Sequence, residues 1–189
     1  MTVSEIFAKI SERQDVGIAM HFDMADYFDF LNLHGFKRIQ EYQYLCESVN
    51  RRCTHRYFIN HYQKQLKINS TDYIAVIPSS WFNYSRADVD TSTMKKSVKD
   101  AFEMWVKWEE ESKKLYENMY SELVKIGEIA AAMKVKELIC DVDMELKYAY
   151  RLHLDIKASG YEPIYILGMQ DCLHEEYDKK TKEIGVSIC

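Results

Sequence analysis

The chain has 189 residues, 47% of them hydrophobic, with 6 glycines, 2 prolines and a formal net charge of −5. That length is most economically one domain with a sizeable core, and the negative balance excludes a surface that is basic throughout for nucleic acid. Strong helix formers fill the windows between the few breakers, which predicts an all-α architecture.

In chain order, the first predicted helix spans 3–33; its apolar rhythm weakens near "ERQD", residues 12–15, where a break is expected. Gly35 is read as the left-handed residue that closes it. The second helix spans 36–65, with Phe36, Ile39, Cys46, Val49, Cys53 and Tyr57 at helical spacing. A crossover over 66–91 contains Pro78 and is long for a compact domain. The third helix spans 92–126, opens after the cap residues Asp90 and Ser92, and carries Trp105, Trp108, Leu115, Met119 and Leu123 inward. Gly127 closes it. The fourth spans 129–159, on the stripe Val135, Leu138, Val142, Ala149, Leu152 and Ile156, and ends at Gly160. A fifth over 163–181 begins at Pro163, a residue suited to a first helical turn.

Short turns at Gly35 and Gly127 force two antiparallel hairpins of helices. The long crossover lets the second and third helices run parallel. The N-terminus lacks an apolar block followed by a cleavage site, and no run has the length needed to cross a bilayer, so a soluble, cytoplasmic protein with no membrane partner is expected. The five cysteines are scattered without a C-x-x-C pair, and are read as reduced thiols, Cys46, Cys53 and Cys140 facing the core.

Glu145 interrupts the apolar stripe of the fourth helix next to Val142. A carboxylate removed from water costs several kcal/mol unless it is compensated, and a cation would compensate it. The window "FEMWVKWEEESKKLYENMYSELVKIGEIAAAMKVKELICDVDMELKYAYRLHLDI", with a mid-helix carboxylate, a short turn and a mid-helix acidic cluster, is similar to the second hairpin of ferritins. As architecture the whole chain resembles the ferritin-like superfamily: ferritins, bacterioferritins, rubrerythrins and the DNA-protecting starvation ferritins.

The resemblance implies a ferritin-like four-helix bundle with an added C-terminal helix, assembled as a homo-oligomer. In that family each hairpin supplies inward carboxylates to a di-iron centre that oxidises ferrous iron, so it also implies iron binding and a ferroxidase-type oxidoreductase activity. Hard cations at close range need several anionic oxygens, and histidine adds a nitrogen donor suited to iron. Matched position by position, the implied metal ligands are Glu111 in the third helix, Glu145 in the fourth, Glu47 in the second, and His21 or Asp23 in the first. The chain departs from the family's Glu-x-x-His pair, because Asn50 follows Glu47 and Tyr148 follows Glu145 at that spacing.

Plainer readings stand beside these. Glu109, Glu110, Lys113 and Lys114 form four-residue pairs typical of a solvated face, and Glu111 sits among them. Glu145 could pair with Arg51, Arg52 or Arg56. His153 reads as a hydrogen-bonded core histidine, and Asp171, His174 and Glu175 share a face of the last helix at a spacing that can bind a divalent cation. The alternative function is a bundle that has lost its metal site. It would be an oligomeric interaction protein using Tyr73, Trp81, Phe82 and Tyr84 of the crossover, or a nucleic-acid-associated protein using "NRRCTHR", residues 50–56. Glycine-rich phosphate loops, H-E-x-x-H zinc helices and strand-turn-helix nucleophile motifs are absent.

Overall fold

The computed structural model describes residues 1–68, 85 and 89–184. Among them are six helices and no strand: α1 Val3–Phe30, α2 His34–Tyr62, α3 Thr91–Lys125, α4 Ile129–Ala158, α5 Pro163–Gly168 and α6 Gln170–Ile184. The crossover residues Tyr73, Pro78, Trp81, Phe82 and Tyr84 lie outside the described residues.

Local chemistry sets the helix ends. α1 opens on a capping box in which Thr2 Oγ1 accepts from the Glu5 N–H while the Thr2 N–H donates to Glu5 Oε2 at 2.8 Å. It then runs unbroken through residues 12–15, so the expected break does not occur. At the head of α3, Asp90 accepts from the Thr93 N–H at 2.7 Å. Three helices close with the same paired bonds: Leu33 N to Phe28 O and Asn32 N to Asp29 O after α1, Glu128 N to Leu123 O and Gly127 N to Val124 O after α3, and Tyr161 N to Ile156 O and Gly160 N to Lys157 O after α4. The left-handed residues in these motifs are Asn32 (φ 60°), Gly127 (φ 81°), and Gly160 (φ 68°) followed by Tyr161 (φ 57°).

Gly35 therefore does not close α1 but lies in the first turn of α2, for a different reason. A Cβ there would meet the Gln170 carbonyl oxygen at 2.5 Å. The approach is close because Gln170 caps α2 from a distance. Its Oε1 accepts from the Gly35 and Phe36 N–H groups at 2.9 and 3.1 Å, and its Nε2 donates to Ile166 O at 2.7 Å. The same joint divides the single C-terminal helix expected over 163–181 into α5 and α6 at Met169.

Two apolar clusters define the packing. One joins the C-terminal half of α1 and the N-terminal half of α2 to the N-terminal half of α3, the C-terminal half of α4, α5 and α6, around Phe28, Phe36, Phe102 and Trp105. The other joins the opposite ends of the same four long helices, around Phe7, Phe58, Leu123 and Val135. The start of α1 thus meets the end of α2, and the ends of α2 and α3 lie at one pole, so two antiparallel hairpins sit with α2 parallel to α3. Among the described residues no helix is long and apolar enough to cross a membrane.

The cysteines meet the expectation in part: Cys46, Cys140 and Cys172 are free thiols, whereas Cys53 is disulfide-bonded, Cys140 is exposed rather than core-facing, and Cys46 is half-buried.

Because Gly35 is required by the Gln170 backbone, Gly35→Ala should lower stability by about 1–3 kcal/mol in urea unfolding, the usual range for forced overpacking. Gly168→Ala, whose added methyl meets nothing within 4 Å, should be neutral or slightly stabilising.

Candidate metal centre

Between the two apolar clusters the core turns polar. On α1 the buried positions Ser11, Gln14, Gly17 and His21 follow Ile6, Phe7 and Ile10 at three- and four-residue steps. On α2 the stripe continues as Gln40, Gln43 and Glu47, and on α3 as Trp105, Glu109, Ser112 and Tyr116. From α4 comes Glu145, which is half-buried. Four helices thus place polar side chains at one level of the bundle.

The best-defined part is the pair His21 and Glu109, both 0% exposed. His21 Nδ1 lies 2.7 Å from Gln40 Oε1, an atom that can only accept, so Nδ1 carries the proton and Nε2 is left with a lone pair. That lone pair faces Glu109 Oε1 at 3.7 Å, too far for a direct hydrogen bond. Glu109 Oε1 accepts from the Trp105 indole N–H at 2.9 Å. His21 Nε2 and Glu109 Oε2 have no hydrogen-bond partner among the described residues, nor do Ser11 Oγ, both amide atoms of Gln14, Gln43 Oε1 or Trp108 Nε1. Buried polar atoms are normally satisfied. So many unsatisfied atoms along the middle of the bundle, spread over about 15 Å of α1, mark a place built for water or an ion.

Electrostatics agree. Burial first, then the charge of Glu47, pushes the Glu109 carboxyl up to about 8. Glu47, 6% exposed, is raised well above the ordinary carboxylate range by burial, then by Glu145 and Asp141, with Arg13 opposing. Glu145 is raised by burial, then by Glu109 and Asp141. Burial lowers His21 to about 4, so its ring is neutral. Tyr116, also in the layer, is raised by burial and by Glu47, Glu145 and Glu109.

One fixed cation flanks this group. The Arg13 guanidinium lies 3.3 Å over the Trp108 ring and donates to Trp108 O at 2.7 Å and to Ser112 Oγ at 2.9 Å. Its nearest carboxylate is Glu111, at 3.6 Å. Among the described residues no ion pair within 4 Å joins Glu47 or Glu145 to a cation.

These positions correct part of the sequence reading. Glu111 is 52% exposed and pairs with Arg13 and Lys107; the inward carboxylate of α3 is Glu109, two residues earlier and about 200° round the helix. The sequence does carry a signal for it, since Trp105, Glu109, Ser112, Tyr116, Met119 and Leu123 keep a strict alternation of four and three. Lys113 pairs with Asp143 at 2.5 Å rather than with Glu109. From α1 it is His21 that enters the layer, and Asp23, half-buried, lies on another side of the helix. Arg51 does not reach Glu145, because it holds Asp15 through two bonds of 2.7 and 3.1 Å. His153 Nε2 lies 2.9 Å from the Tyr161 hydroxyl. Asp171, His174 and Glu175 are all exposed.

The donors suit a divalent cation chemically, with carboxylate oxygens from three helices and a neutral imidazole nitrogen whose other nitrogen is fixed by Gln40. Two donors sharing one ion at about 2.1 Å each stand roughly 3.5 Å apart, close to the spacing of His21 Nε2 and Glu109 Oε1. As the chain stands, no three His, Cys, Asp or Glu side chains among the described residues converge far enough to hold a metal ion.

No family model matches the sequence, and no curated protein matches it. Solved structures match in fold. A closed form of the Archaeoglobus fulgidus ferritin, engineered by site-directed mutagenesis, superposes with a TM-score of 0.74 at 16% identity, over 92% of this chain and 96% of that one. The open-pore ferritin of the same hyperthermophilic archaeon superposes at 0.73 and 16% identity, over 90% and 93%. The chain has the ferritin-like fold, with α5 and α6 added after the fourth long helix.

The buried carboxyls give stability a defined pH dependence. A group whose folded pKa is raised, as Glu109 is from 4.5 to about 8, contributes fully below its unfolded value, and the contribution is lost as pH rises through the folded one. His21, lowered from 6.5 to about 4, acts oppositely and only below pH 6.5. With chelator present, the unfolding free energy from urea titration should therefore fall as pH rises from 6.5 to about 8, by on the order of a few kcal/mol, and Glu109→Gln should flatten that slope. A level profile in the unsubstituted protein would show that these carboxyls ionise like exposed ones.

Proposed function

We propose that the polar layer binds a divalent cation of the ferrous type and that the protein handles iron, taking it as substrate for oxidation or storage. Glu47, Glu109 and Glu145 supply oxygens and His21 Nε2 supplies nitrogen. The observation that carries this reading is the unshared pair of His21 Nε2 aimed at Glu109, inside a layer of unsatisfied polar atoms with three carboxyls that no cation among the described residues pairs within 4 Å, apart from the His21 ring itself. The ferritin-like fold supports the choice of iron.

The surrounding residues divide the tasks. Gln40 fixes the imidazole tautomer so that Nε2 stays a donor. The Trp105 indole N–H orients Glu109 Oε1, the oxygen that faces His21 Nε2, and leaves Oε2 without a partner among the described residues. Gly17 leaves room for Glu47, since a Cβ there would stand 3.2 Å from Glu47 Oε1. The raised carboxyls hold protons that an arriving cation displaces, so binding releases protons to solvent. Ferrous iron, once bound, supplies the one-electron chemistry toward dioxygen that the side chains lack. The Glu-x-x-His pairs are missing, and the single imidazole comes from α1 instead. Convergence of the three glutamates around an ion, beyond the placement seen here, is part of the proposal. The exposed apolar side chains Ile129, Met133, Met144 and Leu154 along α4 support assembly with further copies of the chain.

Anaerobic calorimetric titration with ferrous ion, repeated in buffers of different ionisation enthalpy, should show saturable binding with net proton release, and admission of air should then develop ferric absorbance. His21→Ala and Glu109→Gln should each weaken binding by at least the roughly 10- to 100-fold typical of losing a metal's supporting groups. Glu111→Gln and Asp23→Asn should leave it unchanged. If no heat of binding and no ferric product appear, the bundle has kept the fold without the metal, and an interaction role takes its place.

A further inference from the structure

A cleft of about 410 Å³ opens between α2, α4 and α6. Hydrogen-bond acceptors line its α2 and α4 sides: Gln43 and Asn50 from one, Asp141 and Glu145 from the other. Gln43 is 3% exposed, and its Oε1 accepts no hydrogen bond from any described residue. The remaining lining combines three tyrosines with aliphatic and sulfur side chains and Lys180. Tyr42 and Tyr177 meet edge to face with centroids 5.4 Å apart, and Tyr148 lies tilted against Tyr177 at 5.6 Å.

An ammonium already uses this aromatic surface. Lys180 Nζ stands 4.3 Å from the Tyr177 ring centre and 5.8 Å from that of Tyr148, tethered by Glu176 at 2.6 Å. The rings therefore present their electron-rich faces where a cation can sit. We propose that the cleft is a binding site for a small organic ammonium, an amine on an apolar or aromatic body. Its charged head takes Glu145, Asp141 and Gln43 as acceptors, and its body lies against Tyr42, Tyr148 and Tyr177.

The alternatives fit less well. An anion would meet two acidic side chains, Asp141 and Glu145, and one lysine that Glu176 already neutralises. A neutral apolar molecule would strip water from those acidic groups and give nothing back. A bare metal ion uses none of the aromatic lining and little of the volume. Each acceptor, by contrast, matches an N–H of an alkylammonium, and charge-assisted hydrogen bonds are the strong ones. Glu145 lines the cleft and also belongs to the polar layer, so amine and divalent cation should compete. The amine site does not rest on the metal reading.

The test is titration of chelator-treated, full-length protein with 2-phenylethylammonium, followed by calorimetry and by the aromatic NMR signals. The neutral 2-phenylethanol and the anionic phenylacetate serve as controls of the same shape. The amine should saturate one site per chain, with both controls roughly tenfold or more weaker. Gln43→Leu and Glu145→Gln should each weaken the amine about tenfold. Lys180→Met, which removes the competing ammonium from a half-buried position, should tighten it by about two- to fivefold. Urea unfolding of each variant confirms that it is folded. Equal affinity for amine and alcohol, an affinity unmoved by both Gln43→Leu and Glu145→Gln, or no saturable binding would each overturn the proposal. Amine binding without any ferrous binding would uphold it while removing the metal reading.

Discussion

Carboxyl groups from three helices share the interior of this bundle at one level, and the rest of the structure is arranged around their mutual repulsion. Moving one carboxylate out of water costs several kcal/mol, and each further one raises the cost for its neighbours. Arg13 is the nearest fixed cation, and it spends its hydrogen bonds on Trp108 and Ser112 rather than on the inward glutamates. Protonation is the metal-free solution, visible in the raised Glu47, Glu109 and Glu145. It holds as long as the two apolar clusters on either side keep the helices in register.

That register is the part most open to reading from sequence. Glu145 lies on the apolar stripe of α4, and the stripe places it correctly. Glu47 falls on the matching stripe of α2. The error came in "WEEESKK", where three successive glutamates all sit near the right height and only rotation about the axis separates them. A helix turns 100° per residue, so choosing Glu111 over Glu109 puts the carboxylate on the opposite face. The plainer reading of that run as a solvated face was right for Glu110 and Glu111 and wrong for Glu109. His21 and Asp23 posed the same ambiguity, which the long stripe from Ile6 to Phe28 resolves in favour of His21.

Topology was legible because it depends on coarse features: short turns, one long crossover and glycines near helix ends. Gly127 and Gly160 do take the left-handed conformation expected of them. Gly35 looks alike in sequence yet answers to a contact 135 residues away, the backbone of Gln170. No local pattern encodes such an approach, and the same long-range joint explains why the C-terminal helix divides at Met169. The left-handed residue after α1 is Asn32, a residue type that tolerates this conformation without the signature of glycine.

α6 connects these observations. It begins at the Gln170 cap on α2, packs along α2 through Tyr177 against Tyr42 and through the Arg38–Asp178 ion pair, and places Lys180 over the tyrosines that line the cleft. Without it, the side of the bundle between α2 and α4 would lose Tyr177 and Lys180 from its lining and Glu145 would be closer to solvent, which weakens the burial that raises its carboxyl. The added helix therefore does more than extend a four-helix core. By covering the open seam it sets the dielectric around Glu145, and through Glu145 it couples the outer cleft to the buried layer. A cation bound at either proposed site would have to satisfy that carboxyl, and α6 stands on the side from which the outer cleft approaches it.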